Sequence, residues 1–254
     1  MALIAGLAAV VVIAGGPRST PSAPEALEGP GFATPEAAAE AYLAAMRAGD
    51  IRAMARTFAI ETYAKNLDCK QMINRMGAYL PSFSIVPYPP GEVNERILAG
   101  TRYSQVMGLI AAQYEALSDP PFDRSKPIYV QPDDGSAPDA GEQTATQFYD
   151  KLVATYDGSA FTGIQATGLV LQDFIVPDAT GRIASPEGQQ AIENQLKLYR
   201  MDQLTDRAYA IKTRKGTFYV FLGLARYGDL WWLTTRPLVS PYVDFPLGGG
   251  VMKA

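Results

Sequence analysis

The most restrictive feature of the sequence is residues 217–227, TFYVFLGLARY, a stretch that is apolar at nearly every position. Successive side chains of a β-strand point to opposite faces, so the two sets are Phe218, Val220, Leu222 and Leu224 on one face and Tyr219, Phe221, Gly223, Ala225 and Tyr227 on the other. A strand that is apolar on both faces must be covered on both. We expect helices of the same chain to cover one face, and a ligand cavity, another domain or a second subunit to cover the other.

This stretch lies in a longer segment, residues 206–239, that predicts an antiparallel meander. Lys215-Gly216 and Gly228-Asp229 provide turn residues between three strand-like runs. A further strand is predicted at 168–178. Because helical patterns fill most of the chain ahead of these strands, the sequence predicts an α+β fold in which helices pack on an antiparallel sheet.

Amphipathic spacing predicts several helices. Thr34 is a typical N-cap with Pro35 at the first helical position, while Gly49 ends this helix and Asp50 caps a second one. Further helices are predicted near 68–79, 93–117, 143–156 and 185–204, with a loop at 119–142 that holds a short strand at 128–131. The helix at 93–117 carries its apolar stripe at Tyr103, Met107, Ile110, Tyr114 and Leu117.

Two segments precede the first predicted helix. Residues 2–16 carry no charge, and as a helix they would extend about 22 Å, which is short of the ~30 Å hydrocarbon layer of a bilayer. This length is typical of a signal peptide or a short membrane anchor, which we assign to residues 1–16. Residues 17–31 are rich in proline and predict a linker. The layout predicts an extracytoplasmic protein of the bacterial cell envelope, secreted or membrane-anchored through its N-terminus.

Composition excludes several classes of function. Lys and Arg total 22 against 26 Asp and Glu, so the chain lacks the basic excess that nucleic-acid binding needs. Histidine is absent, which excludes Ser-His-Asp and Cys-His catalysis and histidine-ligated metals. The single cysteine, Cys69, excludes an internal disulfide and a multi-cysteine metal site. No nucleotide-binding glycine motif or calcium-loop spacing occurs, and we expect no cofactor and no metal.

Four short motifs follow one another along the chain: Thr-Pro-Glu at 34–36, Arg-Ala-Gly-Asp at 47–50, Thr-Phe-Ala-Ile-Glu-Thr-Tyr at 57–63 and Tyr-Gly-Asp-Leu-Trp-Trp-Leu at 227–233. In this order they resemble the NTF2-like superfamily, in particular exported bacterial members of the SnoaL-like kind. The resemblance covers about 32–66 and 186–239. It implies helices that line the hollow of a strongly curved antiparallel sheet, forming a cone with a pocket.

The resemblance also divides the chain. It implies an NTF2-like domain over residues 32–240, with a helical insertion around 67–165, and a C-terminal tail over 241–254. The superfamily includes isomerases, dehydratases, cyclases, transport factors and secretion-system subunits, so the fold leaves the activity open.

Residues that would bind a ligand in such a pocket are Tyr42, Tyr219, Trp231, Asp173 and Arg226. The three aromatic side chains would line a cavity for an apolar or aromatic ligand. Asp173 and Arg226 each interrupt an apolar strand and would form a buried pair. The alternative is that the aromatic residues are ordinary core and that the two charged residues lie at strand ends or edges. One of the adjacent Trp231 and Trp232 must point away from the core unless the outer face of the sheet is covered too.

Three functions are consistent with these features. The first is an extracytoplasmic, non-catalytic module that binds a partner protein or a small apolar ligand, and its sheet face would also allow a homodimer. The second is a small enzyme of the isomerase or cyclase type that uses an Asp or Tyr in the pocket. The third is an NTF2-like subunit of a membrane secretion or conjugation complex. We favour the first, because the sequence has an export-like leader and no catalytic constellation.

Overall fold

The computed structural model of the chain describes residues 26–76, 91–117, 128–129, 143–144, 165–169, 177–213, 216–238 and 249–254. The helices in these segments are α1 (Pro35–Ala48), α2 (Ile51–Arg56), α3 (Glu61–Asn66), α4 (Cys69–Met76), α5 (Glu92–Leu117), α6 (Pro177–Ala184) and α7 (Pro186–Tyr199). The strands are β1 (Ile128–Tyr129), β2 (Gln143–Thr144), β3 (Gln165–Leu169), β4 (Gln203–Thr213), β5 (Gly216–Tyr227), β6 (Leu230–Thr234) and β7 (Val251–Lys253). The fold class is α+β with an antiparallel sheet, as predicted.

The first two helices begin where their capping residues predict, and α1 also ends there. The Thr34 hydroxyl accepts a hydrogen bond from the N–H of Ala37 at 3.1 Å, and Asp50 Oδ1 accepts one from the N–H of Ala53 at 2.8 Å. Gly49 ends α1 in the left-handed conformation, with φ 68°, which glycine adopts without strain. None of the helices within the described segments is both long enough and apolar enough to cross a membrane, and residues 2–16 lie outside those segments.

β5 is the central strand of the sheet. The strands lie in the order β3-β4-β5-β6 with every neighbouring pair antiparallel, and β7 pairs with the first half of β5. Thr213 lies opposite Gly216 in the β4–β5 hairpin, and the turn at Gly228-Asp229 joins β5 to β6. β1 and β2 form a separate, parallel pair. The predicted meander and the short strand predicted near residue 128 are both confirmed.

Both faces of β5 are covered, as the sequence requires. Leu224 packs in the main core with side chains of α1, α2 and α5. Tyr227 and Trp232 pack in a second cluster on the opposite face, against Ala59 and the half-buried Tyr63. At this end of the sheet the second face is therefore covered by residues of the same chain, and not by the ligand cavity, further domain or second subunit that we expected.

The outer edge of β6 is closed by two segments from the N-terminal part of the chain. Phe32 exchanges backbone hydrogen bonds with Trp231 at 2.7 and 3.0 Å, and Leu233 bonds in the same way to residues 57–59. Trp231 and Trp232 are both buried, at 7% and 6% exposure, and they belong to the clusters on opposite faces. The outer face of the sheet is thus covered too, so that both tryptophans are core residues, one on each face.

Residues 27–31 form hydrogen bonds and packing contacts with the folded domain, although the sequence predicts them to be part of the linker. The carboxylate of Glu28 accepts hydrogen bonds from the N–H groups of Ile60 and Thr62, at 2.6 and 3.0 Å. It thereby serves as a remote cap for α3, whose first N–H groups have no partner within the helix. The backbone of Gly31, with φ 79°, lies against the indole of Trp232. The folded unit therefore begins ahead of residue 32.

The helix predicted over 185–204 is shorter in the structure. Its N-cap is Ser185, as expected, but α7 ends at Tyr199 because Arg200 adopts the left-handed conformation with φ 47°. The chain then turns and enters β4 at Gln203. The apolar residues beyond Tyr199 follow the alternation of a strand rather than the spacing of a helix.

Two predictions for the middle of the chain also differ from the structure. The helix predicted over 143–156 begins with the strand residues of β2, and residues 145–156 lie outside the described segments. The strand predicted over 168–178 corresponds to β3, which begins earlier, at Gln165, while Pro177 already begins α6. Proline is favoured at the first position of a helix, where its missing N–H needs no partner.

Candidate binding site

Tyr42 lies in the main core rather than at a surface pocket. Its side chain is fully buried, and its hydroxyl donates a hydrogen bond to Gln113 Oε1 at 2.6 Å. The ring meets Phe58 edge-on, with 5.5 Å between the ring centroids. Gln113 Nε2 in turn donates to the carbonyl of Gly249 at 2.9 Å. Tyr42 thus belongs to a buried network that joins α1, α5 and the turn before β7.

The structure brings together two of the other predicted residues. Arg226 and Trp231 are register partners on β5 and β6, with the guanidinium carbon 5.8 Å from the indole centroid. Tyr219 is half-buried and lies on the opposite face of β5, so it cannot share a pocket with this pair. Asp173 lies outside the described residues. Ligand binding by the five predicted residues remains a prediction.

A different site emerges around Arg102 of α5. Arg102 is only 7% exposed, and its guanidinium carbon lies 4.2 Å from the ring centroid of Tyr63. Nη1 donates to Thr235 Oγ1 at 2.6 Å and to Gln105 Oε1 at 3.2 Å. Nε is buried and has no hydrogen-bond partner in the described part of the chain.

Three tyrosines lie on this side of the guanidinium, one in contact with it and two packed with that one. Tyr63 from α3 and Tyr199 from the end of α7 lie with their ring centroids 5.0 Å apart, and Tyr227 comes from the end of β5. The Tyr227 hydroxyl is buried and, within the described segments, has no hydrogen-bond partner. Its ring meets Trp232 edge-on at 6.1 Å, which fixes its position. We call Arg102, Tyr63, Tyr199, Tyr227 and Thr235 the arginine–tyrosine cluster.

Burial governs the titration of the arginine–tyrosine cluster. It lowers the pKa of Arg102 from its ordinary value, and the nearby tyrosines oppose this shift. Arginine nevertheless stays a cation in proteins. Burial also raises the pKa of Tyr63 and of Tyr227 above the usual tyrosine range. Both phenols are protonated at neutral pH, so they can donate hydrogen bonds and are poor general bases.

No carboxylate neutralises Arg102 in the segments that the structure describes: its hydrogen bonds go to a hydroxyl and an amide, and the groups that influence its pKa are tyrosines. The charge of Glu28 reaches Tyr227, whose pKa it helps to raise. The Glu28 carboxylate, however, is bound to the N–H groups of Ile60 and Thr62. The arginine–tyrosine cluster therefore combines a buried cation with phenol donors. Nowhere in the described segments does a group of three Asp, Glu or Cys residues form that could hold a metal.

The sequence contains a signal for this site. We expected the buried stripe of α5 to include Tyr103 and Met107, which the structure places only at the margin of the core. Ile110, Tyr114 and Leu117 of the predicted stripe are buried as expected, and the buried face of α5 also includes Arg102, Val106 and Gln113. Two polar residues on an apolar helix face are unusual, because burial of a polar group requires a partner.

Comparisons with known proteins assign no family to the chain. No model of a known protein family matches it, and no curated protein matches it either. The crystal structure of a cystatin-like protein from Ruminococcus gnavus is similar at 9% sequence identity and a TM-score of 0.39. The match covers 85% of this chain and 43% of that protein, so the chain spans less than half the length of this neighbour. A TM-score this low assigns neither a fold family nor a function.

Proposed function

We propose that the protein is an extracytoplasmic, non-catalytic binding module with an NTF2-like fold, and that it holds a small ligand at the arginine–tyrosine cluster. One observation carries this proposal: Arg102 is more than nine-tenths buried, and its Nε lacks a partner among the described residues. A buried neutral donor without a partner costs about 1–3 kcal/mol, and a charged donor costs more. A ligand that supplies an acceptor would remove this cost.

The surroundings of Arg102 suit a ligand with an apolar body. Tyr63, Tyr199 and Tyr227 provide aromatic faces beside the guanidinium. Tyr63, Tyr199 and Thr235 are half-buried, so the arginine–tyrosine cluster reaches the surface on this side, whereas Tyr227 is buried. Aromatic walls with a few convergent polar groups are typical of small-molecule sites. A ligand would enter past the half-buried tyrosines with its polar group directed towards Arg102.

The order of the elements supports the NTF2-like part of the proposal. Helices α1 to α3 come first, the meander β4-β5-β6 comes late, and the main core lies between them. Arg102 lies on α5, inside the 67–165 region that the minimal fold lacks. In this proposal the inserted region supplies the binding cation, which would explain why the ligand-binding residues expected from the superfamily do not coincide with the site.

The extracytoplasmic location is supported by the apolar residues 2–16 and the proline-rich spacer after them. The hydrogen bonds of Glu28 fasten the start of the folded unit to α3, the helix that also carries Tyr63. The spacer would thus join the folded domain at Glu28, and the domain would act as a tethered or secreted receptor for small molecules.

The substitution Arg102→Met tests whether the guanidinium serves the fold or a ligand. Methionine retains much of the side-chain volume over Tyr63 and removes the buried charge. If the charge is retained for a ligand, the free energy of unfolding should be unchanged or up to ~2 kcal/mol higher, since a buried charge carries a desolvation penalty that an apolar side chain does not. Urea denaturation of the full chain, followed by the fluorescence of the two buried tryptophans, measures this. A loss of more than about 2 kcal/mol would show a structural role.

Arg96→Met is the matched control for that substitution. Arg96 lies on the same helix, is 71% exposed and pairs with Glu92 at the surface. Its replacement should change the free energy of unfolding by less than about 0.5 kcal/mol.

Binding is tested by thermal shift of the full chain with aromatic compounds that are neutral, anionic or cationic. At least one class should raise the Tm of the wild type and leave the Arg102→Met variant unchanged. A panel that shifts neither protein, or both equally, contradicts the proposed function.

A further inference from the structure

We infer that the group recognised at the arginine–tyrosine cluster is the carboxylate of a small monoanionic organic acid, held by the free edge of the Arg102 guanidinium with the Tyr227 hydroxyl as a further donor. The inference rests on the proposed function and narrows the ligand of the same site to one chemical class. Neither the sequence nor the comparisons point to this class.

Within the described segments, the contacts of Arg102 leave one edge of its guanidinium without a hydrogen bond. The guanidinium carbon lies over the ring of Tyr63, 4.2 Å from its centroid. The hydrogen bonds to Thr235 and Gln105 both come from Nη1. Nε is without a partner in the described segments, and the edge formed by Nε and Nη2 lies in the plane of the guanidinium. This edge presents two parallel N–H groups, which match the spacing of the two oxygens of a carboxylate.

Tyr227 packs in one cluster with Tyr63, whose ring lies against the Arg102 guanidinium, and it offers a further donor in this place. Its hydroxyl is buried without a partner among the described residues, and the charge of Arg102 acts on it. A carboxylate is a pure acceptor with about four lone-pair positions, so it can accept from Nε, Nη2 and the phenol together. A carboxamide would instead bring two N–H donors towards the donors of Arg102. The site therefore favours an acid over its amide.

The charge balance favours a monoanion over a dianion. Among the described residues, the charged groups that act on Arg102 and Tyr227 are one cation, Arg102 itself, and one carboxylate, Glu28. A bound monoanion would neutralise Arg102. A dianion such as a phosphonate would leave an uncompensated negative charge in a buried place, which is unfavourable, and Glu28 would add repulsion.

Calorimetric titration of the full chain tests the chemical class. The probes are sodium benzoate and sodium 4-phenylbutanoate, their amides, and phenylphosphonate as a dianion, all at one ionic strength and at mildly alkaline pH. At least one carboxylate should bind at least tenfold more tightly than its amide and than phenylphosphonate. A preference for the amide or the phosphonate, or equal binding of all probes, overturns the inference.

Substitutions in the arginine–tyrosine cluster test the geometry. Arg102→Lys keeps the positive charge and loses the planar pair of donors, so carboxylate affinity should fall at least tenfold. Tyr227→Phe removes one hydrogen bond to a charged group and should weaken binding about tenfold. Arg96→Lys on the same helix should leave binding unchanged. If Arg102→Lys binds carboxylates as well as the wild type does, the two-donor contact is wrong.

The two proposals fail in different ways. If amides or phosphonates bind and depend on Arg102 while carboxylates do not, the carboxylate inference fails and the proposed function stands. If no probe binds in an Arg102-dependent way, both fail. Thermal denaturation of each variant confirms that a loss of binding does not reflect a loss of folding.

Discussion

Replacing Tyr42 by phenylalanine removes one hydrogen bond from a network whose two side chains, Tyr42 and Gln113, are fully buried. The Tyr42 hydroxyl donates to Gln113 Oε1 at 2.6 Å, and Gln113 Nε2 donates to the carbonyl of Gly249 at 2.9 Å. Tyr42 and Gln113 are both 0% exposed, so water cannot replace a lost partner without opening the core. The network holds α1, α5 and the turn before β7 together.

The cost follows from the groups that each substitution leaves without a partner. Tyr42→Phe orphans Gln113 Oε1, which predicts a loss of about 1–3 kcal/mol in the free energy of unfolding. Gln113→Met orphans the Tyr42 hydroxyl and the Gly249 carbonyl, which predicts about 2–5 kcal/mol. In the double variant only the Gly249 carbonyl is left unsatisfied. The double variant should therefore lose less than the sum of the two single losses, with a coupling energy of about 2–5 kcal/mol.

Urea denaturation at 25 °C is a suitable assay, because Trp231 and Trp232 are the only tryptophans, are both buried and report on both faces of the sheet. Tyr209→Phe is the matched control, since Tyr209 is half-buried and has no hydroxyl hydrogen bond among the described residues. Its change should stay within about 0.5 kcal/mol. The reasoning is refuted if Tyr42→Phe changes stability no more than the control does, or if the two network substitutions are simply additive.

Two further predictions concern the edge of the sheet and the surface. Gly31→Ala should destabilise the protein by about 2–4 kcal/mol in the same assay, because φ is 79° and a Cβ would lie 2.5 Å from Cζ2 of Trp232. Gly228→Ala is the control: its φ is 61° but the space around it is open, so the substitution should cost only about 1–2 kcal/mol. Equal losses in the two variants would contradict a role for the contact with Trp232. The hydrogen bond from Arg207 lowers the pKa of Glu36, so this pair stabilises the folded state above the usual titration range of glutamate, and the stability is lost as the pH falls through the lowered pKa. The Tm advantage of the wild type over Glu36→Gln should therefore be present at pH 7 and vanish at strongly acidic pH, and an advantage that does not change with pH would contradict the assignment.

The sheet and the first helices could be predicted from sequence because their signals are local. The alternating apolar sets of residues 218–227 require a strand with two covered faces, and Thr34, Gly49 and Asp50 are caps that act within one turn of a helix. The end of α7 was harder to predict from the sequence, because it depends on the left-handed conformation of Arg200, and arginine rarely adopts that conformation.

The sequence could single out Arg102 on the apolar face of α5, but it could not predict the rest of the arginine–tyrosine cluster, which is assembled from distant parts of the chain. Tyr63, Arg102, Tyr199 and Tyr227 come from α3, α5, α7 and β5, and no local spacing connects them. The sequence suggested Tyr42 as a ligand contact because an aromatic residue on an apolar helix face can lie either in the core or in a pocket, and the spacing of apolar residues does not distinguish the two. Only its buried hydrogen bond to Gln113 distinguishes the two roles.

The free edge of Arg102 can be observed directly by nuclear magnetic resonance of arginine Nε–H groups in the full chain, with the Arg102 signal identified from the Arg102→Lys variant. We predict that adding 4-phenylbutanoate moves this signal downfield and slows its exchange with water, while the amide of the same acid leaves it unchanged. An Arg102 signal that is indifferent to the acid, or that responds equally to acid and amide, would contradict the assignment of this guanidinium as the centre of a binding site.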